Sequence, residues 1–249
     1  RFTAIGWDEV RGAVIFLEDL SLMQERAQQL KLAALGRLTA NIAHEIRNPL
    51  TAINHATELL QEEPGQDATQ ARLLQIIHDN AYRLDRMVQD VLQLNRRDRA
   101  TPEALDLDAT LRQFAEHFCQ TEKIPARAIA LEVGEGLTAC FDRLQLDQVL
   151  WNLCHNAWRY CRRQEGSIRL SAALSPLGSI VQLDVSDDGP GIAETLRAQL
   201  FEPFFTTDST GSGLGLYIAR ELCEANGAML DYIAAAQGGQ FRISAKETC

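Results

Sequence analysis

No apolar run in these 249 residues approaches the roughly 18–20 residues a helix needs to cross a bilayer. No membrane-spanning segment is therefore expected within them. Positive charge is also short: 24 Lys and Arg stand against 34 Asp and Glu, a formal net charge of -10. That balance disfavours a nucleic-acid surface, which needs a basic footprint to meet phosphate. None of the six cysteines (Cys119, Cys140, Cys154, Cys161, Cys223, Cys249) forms a C-x-x-C pair, and no Cys/His group has zinc-ligand spacing. Scattered reduced thiols are the expectation. No signal peptide, internal repeat or low-complexity tract is expected within these residues. The sequence opens at Arg1 rather than at a methionine, so a piece of a longer protein is expected.

What is present is ordinary globular composition, 46% apolar and 23% charged, and enough length for two modest domains. Residues 11–19 form a short β-rich run, read as the last strand of something upstream. From Ser21, a candidate N-cap, helical periodicity continues to about Glu62, roughly 60 Å if unbroken. A turn-rich stretch, Glu62-Glu63-Pro64-Gly65, ends it, and a second helix is expected from about Ala68 to Arg96. Its apolar stripe is Leu73, Ile77, Ala81, Leu84, Val88 and Val91. Such a helical hairpin cannot bury both stripes alone, so pairing with a second copy into a four-helix bundle is expected. A charged linker follows, then helices near 107–121, 143–160 and 214–224. Between them fall strands near 129–133, 138–141, 167–173 and 180–186, and a hairpin at 228–244. That mixture implies an α+β layer, not a doubly wound parallel sheet.

The first helix carries His44-Glu45-Ile46-Arg47-Asn48-Pro49. With Ile42 as reference and about 100° per residue, Leu35, Leu38, Ile46, Pro49, Ile53, Ala56 and Leu60 share one face, whereas His44 lies about 200° away. A core histidine would sit on the stripe. A solvent-facing imidazole is mostly neutral near pH 7 and nucleophilic, and adjacent Glu45 can accept its proton. Pro49 removes a helical hydrogen bond and should bend the helix. Zinc is not the motif's purpose, since H-E-x-x-H needs a histidine where Asn48 stands.

Three later segments suit a nucleotide. In 147–160, Asn152 and Asn156 are one helical turn apart, as are His155 and Arg159; amides stacked so can meet a hard cation and phosphates. In 185–192, Asp187 ends a strand and could accept from an exocyclic amine, while glycines admit close approach. Gly211-Ser212-Gly213-Leu214-Gly215 opens a helix whose first N–H groups suit phosphate, yet it is neither a Walker nor a Rossmann pattern. Between the glycine segments lies Phe201-Glu202-Pro203-Phe204-Phe205-Thr206-Thr207, aromatics that serve a core or a hinge equally well.

In this order the segments resemble a sensor histidine kinase of the two-component type, over nearly the whole chain. HEIRNPL resembles the H box, NLCHNAWRY the N box, DDGPGI and GSGLGL the glycine boxes, and FEPFFTT the F box. The resemblance implies ATP-dependent autophosphorylation on His44, with Glu45 as acid/base and Asn48 positioning water for dephosphorylating a response regulator. It implies Mg²⁺ at Asn156, with Asn152, Arg159 and Tyr160 near the phosphates and Asp187 on adenine. Gly189, Gly191, Ile192, Thr206, Thr207, Gly211, Ser212, Gly213, Leu214 and Gly215 would frame the ATP. The implied fold is an α hairpin forming a dimeric four-helix bundle, then an α+β sandwich of Bergerat type.

The implied domains are a PAS remnant at 1–20, a signalling coiled coil at 21–34 and a dimerisation and histidine-phosphotransfer hairpin at 35–98. A linker at 99–106 and a catalytic ATP-binding domain at 107–249 complete the chain. The implied partners are a second copy of the chain and an NtrC-type receiver domain, with no nucleic acid. The implied location is the cytoplasmic part of a bacterial sensor, anchored in the inner membrane upstream. The short lid and YIARELCEANGA are similar to nitrogen-regulatory kinases, the type IV pilus sensor kinases among them. Two departures stand out: Asp208 where such lids often carry a basic residue, and Cys161 where Ser or Thr is usual. The rivals are an ATPase of the same nucleotide fold and a non-catalytic nucleotide-binding scaffold. The ATPases carry a glutamate base one turn before the metal asparagine, where this sequence has Asn152.

Overall fold

A computed structural model describes residues 2–7, 10–15, 46–60, 67–94, 100–176, 178–208, 211–234 and 238–249. The chain separates into two compact units, residues 1–48 and 49–249. His44, Glu45 and the expected signalling helix at 21–34 lie outside the described residues.

In the first unit, β1 (Phe2–Trp7) and β2 (Val10–Ile15) pair antiparallel, with Trp7 opposite Val10 and Phe2 opposite Ile15. The expectation of a single strand at 11–19 is thus corrected to a hairpin. Gly6 and Gly12 interrupt the β-branched alternation that marks a strand, which hid the first one.

Two helices come next, the first of them running across the boundary between residues 48 and 49. The described part of α1 runs over 46–60 and α2 is Asp67–Leu94. Along α1, Pro49 and Ala56 are buried and Ile53 and Leu60 half-buried, while Thr51, His55 and Glu58 are exposed. This is the amphipathic division that the 3.6-residue period demands. On α2, Leu73 is buried and Ile77 and Leu84 half-buried, yet Ala81 and Val88 of the same stripe are exposed.

Downstream, Glu103–Asp106 is a strand, β3, paired antiparallel with β5 (Thr138–Phe141). The expected linker at 99–106 is therefore shorter, because Leu105 sits fully buried in that pairing. Helix α3 (Leu107–Glu122) is capped by the Asp106 carboxylate, which accepts from the Ala109 amide at 3.0 Å, and it buries Leu107, Leu111, Phe114 and Phe118. A five-stranded sheet has the order β4-β6-β7-β9-β8. Its strands are β4 (Ile129–Val133), β6 (Ile168–Leu174), β7 (Ile180–Asp187), β8 (Met229–Tyr232) and β9 (Gln240–Lys246). Among the described strands only the β4–β6 pair is parallel.

Helix α4 (Arg143–Tyr160) packs on this sheet, with α6 (Gly215–Ala225) beside it; a single turn, α5 (Glu194–Arg197), lies between β7 and α6 in sequence. Val149, Leu150 and Leu153 of α4 are buried, as are alternate residues of the strands, Leu170, Val185 and Ile243 among them. Helices on one face of a mostly antiparallel sheet make the two-layer α+β arrangement expected from the sequence.

One expectation about cysteine fails. Cys140 and Cys249 form a disulfide, with Cα atoms 5.0 Å apart across 109 residues of sequence. The residues after β9 run beside β5, where Thr138 Oγ1 donates to the Glu247 carbonyl at 2.9 Å. Sequence spacing carries no sign of that meeting. The other four cysteines are free thiols.

Candidate functional site

Helix α4, the end of β7, the start of α6 and the segment between α5 and α6 enclose two adjoining cavities. The larger, about 410 Å³, is lined by Asn156, Tyr160, Asp187, Gly191, Ile192, Thr206 and Thr207, with an apolar floor from Leu196, Leu200, Phe205, Leu216 and Phe241. The smaller, about 90 Å³, is lined by Asn152, His155, Asn156, Arg159, Tyr160, Thr206, Gly211, Ser212, Gly213 and Gly215. A mostly apolar slot with convergent polar groups, opening into a polar annex, has the size and chemistry of a small-molecule site.

The polar groups are held by backbone. Asp187 Oδ1 accepts from the Gly189 amide at 2.9 Å and the Gly239 amide at 3.3 Å. These bonds fix the carboxylate and leave Oδ2 without a recorded donor among the described residues. Burial pushes the Asp187 carboxyl up from its ordinary value, and the two amides offset this only in part. Gly189 must lack a side chain, since a Cβ there would stand 2.6 Å from the Tyr160 carbonyl oxygen. Asp188 has a different task. Its Oδ1 accepts from the Arg162 amide and its Oδ2 from Ser167 Oγ, both at 2.9 Å, tying the end of α4 to the turn after β7.

The loop before α6 is pinched at its base, where the Phe204 amide donates to the Gly213 carbonyl at 2.9 Å. Phe204 lies at φ +67°, a strained setting for a bulky residue, and Gly213 at φ +69° has no room for a Cβ against the Phe204 backbone. Within the loop, Arg159 Nε donates to Asp208 Oδ2 at 2.7 Å. Asn152 also lines the small cavity; its Nδ2 is buried with no partner among the described residues, and its Oδ1 accepts from Gln148 Nε2 at 3.3 Å. A buried donor left open costs about 1–3 kcal/mol, which marks this amide as a strained point of the site.

Of the fifteen positions that the sequence assigns to nucleotide binding, thirteen line one cavity or the other. Gly189 and Leu214 do not: Gly189 lies under the Tyr160 carbonyl, and Leu214 is fully buried. Asn48 is exposed on α1. Sequence reasoning missed Leu196, Leu200, Gly239 and Phe241. Leu196 and Leu200 carry a helical spacing as a signal, and Phe241 sits on the inward side of strand alternation. Cys161, the other departure, keeps its place by accepting from the Arg163 amide at 3.4 Å and donating to the Trp158 carbonyl at 3.6 Å.

Comparison with known proteins supplies the family. Residues 34–100 match the His Kinase A (phospho-acceptor) domain, and residues 141–248 match the histidine kinase-, DNA gyrase B-, and HSP90-like ATPase domain. The chain belongs to the sensor histidine kinases. Sensor protein kinase PilS of Pseudomonas aeruginosa is 46% identical over 247 residues, covering 98% of this chain and 46% of PilS. Among solved structures, histidine kinase ThkA in complex with the response regulator protein TrrA has a TM-score of 0.69 at 26% identity, covering 100% of this chain and 74% of that one. Full-length ShkA in complex with AMPPNP has a TM-score of 0.57 at 28% identity, covering 86% and 46% respectively. The chain spans about half the length of the curated sensor kinases it matches.

Proposed function

We propose that the chain binds ATP in the paired cavities, moves its γ-phosphoryl group to His44, and passes that group to an aspartate of a response-regulator receiver domain. The observation that carries this reading is the pair of adjoining cavities lined by Asn156, Asp187 and Asn152, taken together with the sequence motif from His44 to Pro49. Asp187 Oδ2 would accept from the adenine amine, the apolar floor would hold the ring, and Arg159 and Asn152 would meet phosphate oxygens. Mg²⁺ would be held by Asn156 together with the nucleotide's own oxygens, and would neutralise charge on the phosphates. The donor set fits, since a hard cation on a nucleotide needs one or two protein oxygens rather than a cage.

The chemistry then falls to His44 and Glu45. The unprotonated ring nitrogen attacks the terminal phosphorus, an N–P bond forms, the bond to the bridging oxygen breaks, and ADP leaves. Glu45 takes the proton from the other ring nitrogen. In the second step the receiver carboxylate attacks phosphorus and the N–P bond breaks. Exposed Asn48 would orient water for the reverse regulation, the phosphatase reaction; Asn48→Ala should spare autophosphorylation and lower phosphatase activity. Exposed Thr51, His55 and Glu58 would belong to the face that meets the receiver. The solved complex of ThkA with a response regulator supports that pairing.

Further parts of the reading concern assembly. Ala81 and Val88 are exposed on the α2 apolar stripe, which a second copy of the chain would cover as a four-helix bundle. The division into a PAS remnant (1–20), signalling helix (21–34), hairpin (35–98) and catalytic domain belongs to the same proposal. So do an NtrC-type partner and an inner-membrane anchor upstream. No described helix is long and apolar enough to cross a membrane. The deciding experiment is incubation with γ-labelled ATP and Mg²⁺. Acid-labile, alkali-stable label on the protein marks phosphohistidine, whereas free phosphate alone marks an ATPase and neither marks a scaffold.

A further inference from the structure

The ion pair between Arg159 and Asp208 sits where the polyphosphate is expected. Arg159 rises from the last turn of α4 into the small cavity, and its Nε donates to Asp208 Oδ2 at 2.7 Å, with both side chains about one-quarter exposed. The guanidinium also lies along Gly211: a Cβ there would stand 3.4 Å from Arg159 Nη1 and 2.8 Å from Thr206 Oγ1. The carboxylate is delivered by a built turn. Thr206 Oγ1 accepts from the Asp208 amide at 3.1 Å, and the Gly211 amide donates to the Asp208 carbonyl at 3.2 Å. Asn152, whose buried Nδ2 has no partner among the described residues, lines the same cavity.

A planar guanidinium engages a carboxylate and a phosphate through the same fork of donors. Asp208 therefore holds Arg159 in the way a phosphate oxygen would. Charge decides the rest. A carboxylate brought within a few ångströms of a triphosphate repels it, and in a half-buried site that repulsion is only partly screened.

We infer that Asp208 is an internal stand-in for phosphate. It occupies Arg159 in the nucleotide-free protein and must give way when a polyphosphate binds, so it sets affinity for the phosphate tail and not for the nucleoside. The inference rests on the nucleotide reading of the cavity. It explains why an acidic residue is tolerated in this loop: the site gives up affinity for ATP and gains a paired, non-sticky Arg159 when empty.

The test is calorimetric titration of the whole chain, with Mg²⁺ present, against ATP and against adenosine. Asp208→Asn keeps shape and hydrogen bonding while removing charge. It should bind ATP about 3–10 times more tightly than the parent and bind adenosine within twofold of it. Asp208→Ser guards against a variant that misfolds, with thermal midpoints compared for each. In an Arg159→Gln background the gain from Asp208→Asn should shrink to less than half. Unchanged or weaker ATP binding by both Asp208 variants overturns the inference, as does an equal gain for ATP and adenosine. A gain that persists without Arg159 overturns it too, because it would mark general repulsion. If the parent chain itself binds neither ligand, the nucleotide reading fails instead, which is a separate result.

Discussion

Asn226 and Asp142 join the C-terminal end of α6 to the N-terminal end of α4: Asn226 Oδ1 accepts from the Asp142 amide at 2.8 Å. Asn226 Nδ2 in turn donates to Gln145 Oε1 at 2.7 Å, and the Asp142 carboxylate accepts from Gln145 N, Thr101 N and Thr101 Oγ1 at 2.9–3.0 Å. One carboxylate thus caps α4 and ties down the segment that leads into β3.

Asp142 should therefore govern acid stability. Burial pushes its carboxyl up, but the donors from Thr101 and Gln145 together outweigh burial and hold it below the ordinary value. A depressed folded value means that its stabilisation is present above the unfolded value near 3.9 and is lost as pH falls through the folded one. Asp142→Ala should cost about 2–3 kcal/mol at pH 7 in urea denaturation. The deficit relative to the parent should narrow below about pH 4; a constant deficit would contradict the assignment.

Asp187 should show the opposite sign. Its carboxyl is raised by burial, so ionisation above the unfolded value opposes folding, and protonation stabilises the fold as pH falls through the raised value. In the proposed role nucleotide binding would need the ionised acceptor, and is expected to weaken over that same fall, starting at a higher pH than an ordinary aspartate would give. Asp187→Asn should be at least as stable as the parent, yet bind ATP about 10-fold or more weakly with a flattened pH profile. Calorimetry at pH 5 to 8 reads both effects. Unaltered ATP affinity would remove Asp187 from the adenine subsite.

Gly189→Ala should break the same subsite by another route. The new Cβ would press on the Tyr160 carbonyl and on Asp187 Oδ1, 2.6 and 2.7 Å away, forcing the backbone donor off the carboxylate. A stability loss of about 1–3 kcal/mol is expected, together with weakened ATP binding. Parent-like thermal midpoint and affinity would show that the turn has slack.

The Cys140–Cys249 disulfide closes a loop of 109 residues. Loops of that length give about 4–5 kcal/mol in the chain-entropy account, with less common in practice. Under oxidising conditions Cys140→Ser should lower the urea midpoint clearly, and a dithiol reductant should lower the parent to match. A parent indifferent to reductant would leave the bridge without a stabilising role.

The periodicities reached far into this fold. The α1 stripe of Pro49, Ile53, Ala56 and Leu60 and the elements from α3 to β9, the unexpected single turn α5 excepted, follow from patterns two and 3.6 residues long, which local sterics and burial enforce. What escaped was non-local. The pairing of β3 with β5 gives Glu103–Asp106 its strand character, a four-residue run too short to show alternation. The Phe241 and Gly239 edge of the cavity, and the Cys140–Cys249 bridge, depend on which strands lie side by side. The Arg159–Asp208 pair was half visible: the acidic residue stood out as a departure, but its partner was set by how the loop folds back on α4.

Phosphate on His44 is the central claim, and direct labelling tests it. The whole chain, incubated with γ-labelled ATP and Mg²⁺ and digested, should carry acid-labile label on the peptide containing His44. His44→Ala should bind ATP with parent affinity and take no label. Label on another residue, or robust ATP binding by the parent with no label at all, would contradict the account.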